Sequence, residues 1–169
     1  LLKTEEMYKS FGITKALKGV GIELRRGQIL GLIGENGSGK STLTSIVAAI
    51  QPADSGKMYL EGQPYEPSDT MEANEKGICM ILQEKGTFDA LTVAKNIFVG
   101  KENLFCKKGI LDNRAMNRAA QEALDAVGAD YIRASMPLGA LNFEDRKLVE
   151  VARAMYMKPK ILIVDETTT

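Results

Sequence analysis

Residues 34–42 read GENGSGKST and combine glycine, lysine and hydroxyl side chains at a spacing that suits phosphate binding. The run fits the pattern G-x-x-x-x-G-K-[ST] at every fixed position. Its glycines let the backbone curl around an anion, and the backbone N–H groups then point inward. The residues predicted to contact a nucleotide are Gly34, Asn36, Gly37, Ser38, Gly39, Lys40, Ser41 and Thr42.

Lys40 and Ser41 carry the specific chemistry of this loop. The Lys40 ammonium would contact the β- and γ-phosphates of a nucleotide, and the Ser41 hydroxyl would ligate Mg²⁺. The apolar residues 28–33 are predicted to be a buried strand entering the loop, and residues 43–50 are apolar at helical spacing. A glycine-rich turn that binds nothing is the alternative. Because strand, loop and helix are all predicted, the sequence favours a nucleotide-binding Walker A motif, or P-loop.

Two carboxylates, Asp165 and Glu166, follow the apolar run of residues 161–164. Such a run predicts a central parallel strand covered on both faces, and ligands bind at the carboxyl ends of such strands. Asp165 is predicted to hold Mg²⁺, directly or through water, and Glu166 to orient the attacking water or accept its proton. A solvated strand terminus is the alternative for this pair. The phosphate-loop motif favours the Mg²⁺ and base roles.

Composition excludes several classes of function. Lys+Arg and Asp+Glu both number 22, which gives a formal net charge of zero. Without a dense basic block or interleaved aromatic residues, a nucleic-acid-binding surface is not expected. The absence of histidine excludes histidine-based triads and histidine metal sites within this chain. No signal peptide or membrane-spanning run is recognised, so a soluble, cytoplasmic chain is expected.

The remaining elements follow from apolar spacing and turn residues. Strands are predicted over residues 1–10, 20–24, 57–60 and 78–82, with a hairpin turn at Glu61-Gly62. Helices are predicted over residues 70–76, 92–98, 112–127 and 144–157, with Thr92 and Asp112 as N-caps and a polar loop over residues 101–108. The predicted buried faces comprise Met116, Ala120, Ala123, Leu124 and Val127 on one helix, and Leu148, Val151, Ala152 and Met155 on another.

From residue 11 to residue 166, the order of these motifs resembles the nucleotide-binding domain of an ABC transporter. The closest resemblance is to the first domain of the ATPases of bacterial monosaccharide (ribose/xylose/galactose-type) importers. The sequence segments on which this resemblance rests are GENG at residues 34–37, QE at 83–84, LTVAKNI at 91–97 and GILD at 109–112.

The resemblance implies a fold class and a domain organisation. The expected fold is α/β: a phosphate-loop NTPase core with a mostly parallel sheet and flanking helices, an antiparallel β subdomain and an inserted α-helical subdomain. The chain is expected to be one nucleotide-binding domain over residues 1–169, incomplete at its C-terminus. Residues 1–85 and 158–169 would form the core with the β subdomain, and residues 86–157 the helical subdomain.

The resemblance also implies roles for residues outside the loop. Phe11 matches the aromatic position that stacks on adenine, with a core anchor near the first turn as the alternative. Gln83 matches the glutamine that reaches Mg²⁺ and the attacking water and senses the membrane subunit, with a polar strand-end residue as the alternative. Residues 84–91 would lie close to the coupling helix of a permease.

The function implied is an ATP-binding and ATP-hydrolysing motor, with ATP and Mg²⁺ as cofactors. Its partners would be a second nucleotide-binding domain (fused or separate), transmembrane permease subunits and, indirectly, an extracytoplasmic sugar-binding protein, without nucleic acid. The location implied is cytoplasmic and peripheral on the inner face of the bacterial cell membrane. Two alternatives stay open: a nucleotide-binding regulatory module that hydrolyses little, and a soluble ABC protein acting on the ribosome or DNA, against which the neutral charge argues.

Two departures from the family pattern qualify these expectations. In the signature segment, residues 141–147, Asn142 replaces a serine, and Glu144 and Asp145 stand where a glycine and a glutamine are expected. A carboxylate at 4 Å from a phosphate charge is unfavourable by roughly 4 kcal/mol at an effective dielectric of 20. The segment is therefore expected to serve a partner domain's nucleotide poorly. After Glu166 the chain ends in three threonines, so the expected domain is truncated and weak or inactive alone.

Overall fold

The computed structural model describes residues 1–81, 87–107 and 109–165. The chain divides into two compact units, Leu1–Cys79 and Met80–Thr169. Among the described residues, every helix is too short or too polar to cross a bilayer.

The N-terminal unit is built on an antiparallel sheet of β1 (Leu2–Phe11), β2 (Thr14–Leu24), β3 (Ser55–Leu60) and β4 (Gln63–Pro64). The order of the strands in the sheet is β2-β1-β3-β4. The β1–β2 register runs from Leu2 opposite Leu24 to Phe11 opposite Thr14. The second predicted strand therefore begins earlier than expected, because the chain reverses at Gly12, whose φ is 58°.

The predicted hairpin at Glu61-Gly62 is confirmed. Leu60 lies opposite Gln63, so the loop between β3 and β4 has two residues. Both have positive φ, 53° for Glu61 and 80° for Gly62. Positive φ at both positions is the type I′ geometry, whose twist matches that of antiparallel strands.

Two helices complete the N-terminal unit, α1 (Lys40–Val47) and α2 (Thr70–Glu75). The apolar face of α1 buries Leu43 and Ile46, which form one cluster with Met7 and Leu17 of the sheet. The packing of α1 on the sheet therefore fixes the position of the loop that precedes the helix.

Residues 28–33, predicted to be a buried strand, form no strand, and this prediction is wrong. Ile29 is 98% exposed and Ile33 is 99% exposed. A central parallel strand requires ladder hydrogen bonds to its neighbours and cover on both faces. Across residues 1–81, 87–107 and 109–165, no strand pairs with this run. Apolar character alone therefore does not make the run a strand here.

Glu72 stabilises the start of α2 through a local network. Asp69 caps the helix by accepting from the Glu72 N–H, and the Glu72 carboxylate pairs with Lys76 at 2.8 Å. The carboxylate also accepts from the Ser68 N–H at 2.7 Å and from the Ser68 hydroxyl at 2.8 Å. The Lys76 and Ser68 contacts lower the pKa of Glu72 from 4.5 to about 2.

This shift predicts a pH-dependent local stability. Because the folded-state pKa is depressed, the stabilisation of α2 is present above the unfolded pKa of 4.5 and is lost as the pH falls toward about 2. In Glu72→Gln, we expect the α2 amides to exchange hydrogen faster than in the unsubstituted chain at pH 7, with the difference fading near pH 2. Glu75→Gln, on the exposed side of the same helix, is the control. Equal exchange in the two variants at pH 7 contradicts the prediction.

The C-terminal unit is mainly helical. Its helices are α3 (Val93–Ile97), α4 (Asn113–Ala126) and α5 (Phe143–Tyr156), with 3₁₀ turns at Glu102–Phe105 and Leu138–Ala140. Strand β5 (Ile78–Ile81), which begins in the N-terminal unit, and β8 (Ile161–Val164) form a two-stranded sheet. The predicted N-caps are confirmed, since Thr92 accepts from the Lys95 N–H and Asp112 from the Ala115 N–H.

The segment predicted as a polar loop, residues 101–108, contains regular structure in its described part, residues 101–107. It contains the first 3₁₀ turn and strand β6 (Cys106–Lys107), which pairs with β7 (Ile110–Leu111). The Asp112 N–H donates to the Phe105 carbonyl at 2.9 Å and ties the end of the hairpin to the 3₁₀ turn. Short-range backbone bonds therefore replace the irregular loop that polarity alone predicted.

One predicted helix face is confirmed, and one is partly wrong. On α4, Met116, Ala120, Ala123 and Leu124 are buried in the main cluster, and Val127 packs against it. On α5, Ala152 is buried as predicted and Leu148 packs against the cluster, but Val149 is buried and Met155 is 45% exposed.

The aromatic ring of Phe98 contacts α5 on the side of the helix that carries Val149. Phe98 is fully buried and makes edge-to-face contacts with Tyr156 of α5 at 4.7 Å and with Phe105 at 4.6 Å between centroids. Val149, Ala152 and Tyr156 follow one another at spacings of three and four residues, so they share a face. The aromatic contact therefore lies on the same face as Val149 and Ala152, which are buried in the main cluster.

Candidate functional site

Gly39 places the start of α1 directly behind the predicted phosphate loop. It is the N-cap residue, with φ 92° and ψ 5°, and its carbonyl accepts from the Leu43 N–H at 2.9 Å. A Cβ at this position would lie 2.5 Å from the carbonyl oxygen of Ala16 and 2.9 Å from Cδ2 of Leu17. Both the backbone angle and the close approach to β2 therefore require glycine.

Lys40 directs its ammonium group back into the loop. Its Nζ donates to the carbonyl of Gly34 at 2.7 Å and to that of Glu35 at 2.8 Å. Nζ also lies 3.4 Å from the Ser38 hydroxyl, and the Ser38 N–H donates to the Glu35 carbonyl at 3.1 Å. A phosphate entering the loop would replace the carbonyl acceptors, so the positive charge is already placed for an anion.

The first turn of α1 adds backbone donors and a partial positive charge. The first N–H groups of a helix have no acceptor within the helix, and the helix dipole attracts anions to that end. Ser41 and Thr42 lie in this turn, where the carbonyl of Thr42 accepts from Gln51 Nε2 at 3.4 Å. Asn36 and Gly37 lie on the exposed outer part of the loop. The structure therefore places the predicted loop residues in one segment that ends in the first turn of α1, with Lys40 bonded back to Gly34 and Glu35.

Phe11 lies at the end of β1 with its side chain in solvent. The residue is 51% exposed, and the Lys9 ammonium lies 5.7 Å from the ring centroid. Asp54 stabilises the end of β1, because its carboxylate pairs with the Lys9 ammonium at 3.2 Å and accepts from the Ser10 N–H at 2.7 Å. These hydrogen bonds, that to Lys9 first, lower the pKa of Asp54. The alternative that Phe11 is a core anchor is wrong, and adenine stacking stays a prediction.

Asp165 directly follows β8 in the C-terminal unit. Its N–H lies 3.4 Å from the Ile81 carbonyl of β5, and the residue is half-buried. Its position after an apolar strand is the one predicted, but the expected cover on both faces of that strand is wrong, because Val164 is 56% exposed and β8 pairs only with β5 among the described residues. Gln83 and Glu166 lie outside the described residues, so their roles stay predictions.

The signature segment begins α5, and Asn142 is its N-cap. The Asn142 side chain accepts from the Asp145 N–H at 2.8 Å, which an N-cap serine would also do. The Tyr131 hydroxyl donates to Asp145 Oδ1 at 2.7 Å, and this bond raises the pKa of Tyr131. Neither role was predicted from the sequence. An asparagine three residues before an acidic residue was a usable signal for the cap, whereas nothing local pointed to Tyr131.

We expect Gly39→Ala to destabilise the loop and prevent nucleotide binding. A left-handed backbone costs a non-glycine residue about 1–3 kcal/mol, and the clash with the Ala16 carbonyl adds to that cost. The measurements are the melting temperature and Mg·ATP titration. Gly27→Ala is the matched control, because Gly27 has a similar φ of 70° but no atom within 4 Å of an added Cβ. Equal loss of binding in the two variants would show that backbone strain alone is responsible.

Comparison with protein families and with curated proteins finds relatives of one kind. A protein-family model described as ABC transporter matches residues 17–169. Ribose import ATP-binding proteins from Lacticaseibacillus paracasei and Rhodopirellula baltica are 38% and 39% identical over 99% and 100% of this chain. The chain spans about a third of the length of these curated relatives, 33% in each case.

Solved structures agree with the sequence relatives. A nucleotide-free ATP-binding cassette from an ABC transporter matches with a TM-score of 0.84 and 32% identity, over 99% of this chain and 69% of that one. The ADP conformation of MJ1267, another such cassette, matches with a TM-score of 0.81 and 32% identity, over 95% of this chain and 66% of that one. The predicted fold class is thereby confirmed, and the chain belongs to the ABC transporter family of ATP-binding cassettes.

Proposed function

We propose that this chain is the ATP-binding and ATP-hydrolysing motor of an importer for a simple sugar. Closure of two such domains on Mg·ATP would drive the permease between two states, and hydrolysis would reopen them. The observation that carries the proposal is the phosphate loop, in which Gly39 admits close backbone packing and Lys40 lies over the loop carbonyls. The ribose import proteins among the relatives support the choice of a sugar.

The residues present fit a magnesium nucleotide. Hydroxyl, carboxylate and amide oxygens are the ligands that Mg²⁺ prefers, and Ser41, Asp165 and Gln83 offer one of each. Bound Mg²⁺ would neutralise charge that develops on the phosphates. Lys40 would bind the β- and γ-phosphates, and Glu166 would orient the attacking water and accept its proton.

Phe11 is the proposed adenine contact. An exposed aromatic ring at the end of a strand can stack on a purine, and stacking is worth about 0.5–1.5 kcal/mol beyond the buried area. The Lys9 ammonium lies over one face of the ring, so adenine would stack on the opposite face. The half-exposed ring supports this role.

The proposed assembly contains a second nucleotide-binding domain, transmembrane permease subunits and, indirectly, an extracytoplasmic sugar-binding protein. The chain would then lie on the cytoplasmic face of the bacterial membrane. The balanced charge of 22 basic and 22 acidic residues argues against a nucleic-acid partner.

A second candidate is a regulatory module that closes on ATP and hydrolyses little. The observation that favours it is the pair of carboxylates, Glu144 and Asp145, in the first turn of α5. In the family this end of the helix faces the phosphate of the partner domain, where carboxylates are unfavourable. The hydrogen bond from the Tyr131 hydroxyl fixes the Asp145 side chain. Because the donor is neutral, the carboxylate keeps its negative charge. Rapid sugar-stimulated turnover by the complete assembly would exclude this candidate.

The first test of the proposed function is Mg·ATP binding by this chain, with GTP as competitor. We expect saturable binding of Mg·ATP and weak competition by GTP, because an aromatic stack with no guanine-reading motif supports adenine. Co-purification with a membrane permease, rather than with nucleic acid, is the second expected result. A folded chain that binds no nucleotide, alone or within its full assembly, would contradict the proposal.

A further inference from the structure

A buried amide fixes the turn that precedes α3, residues 88–92, which we call the 88–92 turn. Asn96 is 1% exposed. Its Oδ1 accepts from the Phe88 N–H at 2.7 Å, and its Nδ2 donates to the Phe88 carbonyl at 3.0 Å. Nδ2 also lies 3.4 Å from the Leu91 carbonyl and 3.0 Å from the Thr92 carbonyl. Because a buried amide is costly to leave unpaired, the turn is held in one conformation.

The 88–92 turn is bonded to residues that immediately precede the signature segment. The Leu138 N–H donates to the Leu91 carbonyl at 2.9 Å, and the Gly139 N–H donates to the Asp89 carbonyl at 3.0 Å. A Cβ on Gly139 would lie 3.2 Å from the Asp89 carbonyl oxygen, which is tighter than ordinary contact. Two segments that are distant in sequence therefore pack backbone against backbone.

The guanidinium group of Arg146 joins both segments to α5. It donates to Asp89 Oδ1 at 2.9 Å, to the Gly139 carbonyl at 3.3 Å and to the Leu141 carbonyl at 3.0 Å. Asp89 is 62% exposed as a side chain, so the ion pair alone contributes little stability. The planar fork of arginine, however, fixes the direction of each bond, and lysine has no equivalent geometry.

We infer that Arg146 is a positioning residue that transmits displacement of the 88–92 turn to the entry of α5, residues 141–145. The inference rests on the proposed function, in which residues 84–91 contact the permease and residues 141–147 contact the partner domain's nucleotide. A shift of the turn carries Asp89 with it, and Arg146 passes that shift to the Leu141 carbonyl just before the helix. The proposed role of Arg146 is exercised through its hydrogen bonds to Asp89, Gly139 and Leu141.

The test compares sugar-stimulated with unstimulated ATP turnover in the complete assembly of permease, binding protein and ATPase. In Arg146→Met and Arg146→Lys, we expect the ratio of the two rates to fall by about 5-fold or more, the lower end of typical allosteric coupling. Gly139→Ala pushes residue 139 away from the 88–92 turn without changing any charge. The ratio of stimulated to unstimulated turnover should also fall in this variant. Arg118→Met, at an exposed arginine of α4 in the same unit, should leave the ratio unchanged.

Hydrogen exchange supplies a readout that is independent of turnover. In Arg146→Met, which lacks the guanidinium group, exchange of the Gly139 amide hydrogen should be roughly tenfold faster, as expected for losing hydrogen bonds to a charged group. An unchanged stimulation ratio in Arg146→Met, or full retention of the ratio in Arg146→Lys, overturns the inference while the motor assignment stands. An unsubstituted assembly that shows no sugar-stimulated turnover overturns the motor assignment and this inference with it.

Discussion

Replacing Lys40 by alanine is expected to abolish Mg·ATP binding and to lower turnover by about 10²–10³-fold, the usual cost of removing one preorganised charge-stabilising donor. The ammonium group lies within 2.8 Å of the Gly34 and Glu35 carbonyls. Its loss removes the charge that would bind the β- and γ-phosphates. It also leaves two carbonyls without their donor, so the loop itself becomes less well defined.

Calorimetric titration with Mg·ATP, together with the melting temperature, measures this effect. Lys18→Ala is the matched control, because Lys18 is an exposed lysine of β2 in the same unit. We expect the control to bind Mg·ATP as the unsubstituted chain does. A Lys40→Ala chain that is folded and binds with unchanged affinity would show that the loop does not hold the phosphates.

Replacing Glu166 by glutamine is expected to leave Mg·ATP binding intact and to lower turnover by about 10²-fold or more. Glutamine keeps the size of the side chain, but its amide does not accept a proton from water at neutral pH. Removing a negative charge beside the phosphates also favours binding of the nucleotide. Binding and hydrolysis should therefore separate in this variant, whereas Lys40→Ala loses both.

Single-turnover measurement in the complete assembly distinguishes the two steps. Glu122→Gln, at an exposed glutamate of α4, is the control and should hydrolyse ATP at the unsubstituted rate. Unchanged turnover in Glu166→Gln would remove Glu166 from the catalytic assignment. Low turnover in the unsubstituted assembly would instead favour the regulatory module that Glu144 and Asp145 suggest.

The strongest sequence signals were those that act within a few residues. Asp112 and Thr92 were predicted as N-caps because an N-cap accepts from a backbone N–H only three residues ahead, and both do so. Glu61-Gly62 was predicted as a hairpin turn because glycine tolerates positive φ, and both residues have it. The phosphate-loop residues were recognisable for the same reason, since a fixed spacing defines a local backbone shape.

Other features required contacts between distant segments. The apolar residues 28–33 were predicted as a strand, but a strand also needs partners, and no sheet of the described residues includes them. The buried face of α5 passes through Val149 rather than Met155, because Val149 packs in the main cluster with residues of α3 and α4. Hydrophobic spacing restricts the choice of face, whereas the neighbouring side chains decide it.

The sequence by itself determined the family, the phosphate loop and the helix starts, because each depends on residue types at short, fixed separations. Tertiary structure alone decided that Arg146 joins Asp89 and Gly139, that Tyr131 donates to Asp145, and that Phe11 is exposed. Arg146 and Asp89 are 57 residues apart in the chain. No local pattern encodes such a contact, because it arises only when packed helices bring the two segments within hydrogen-bonding distance.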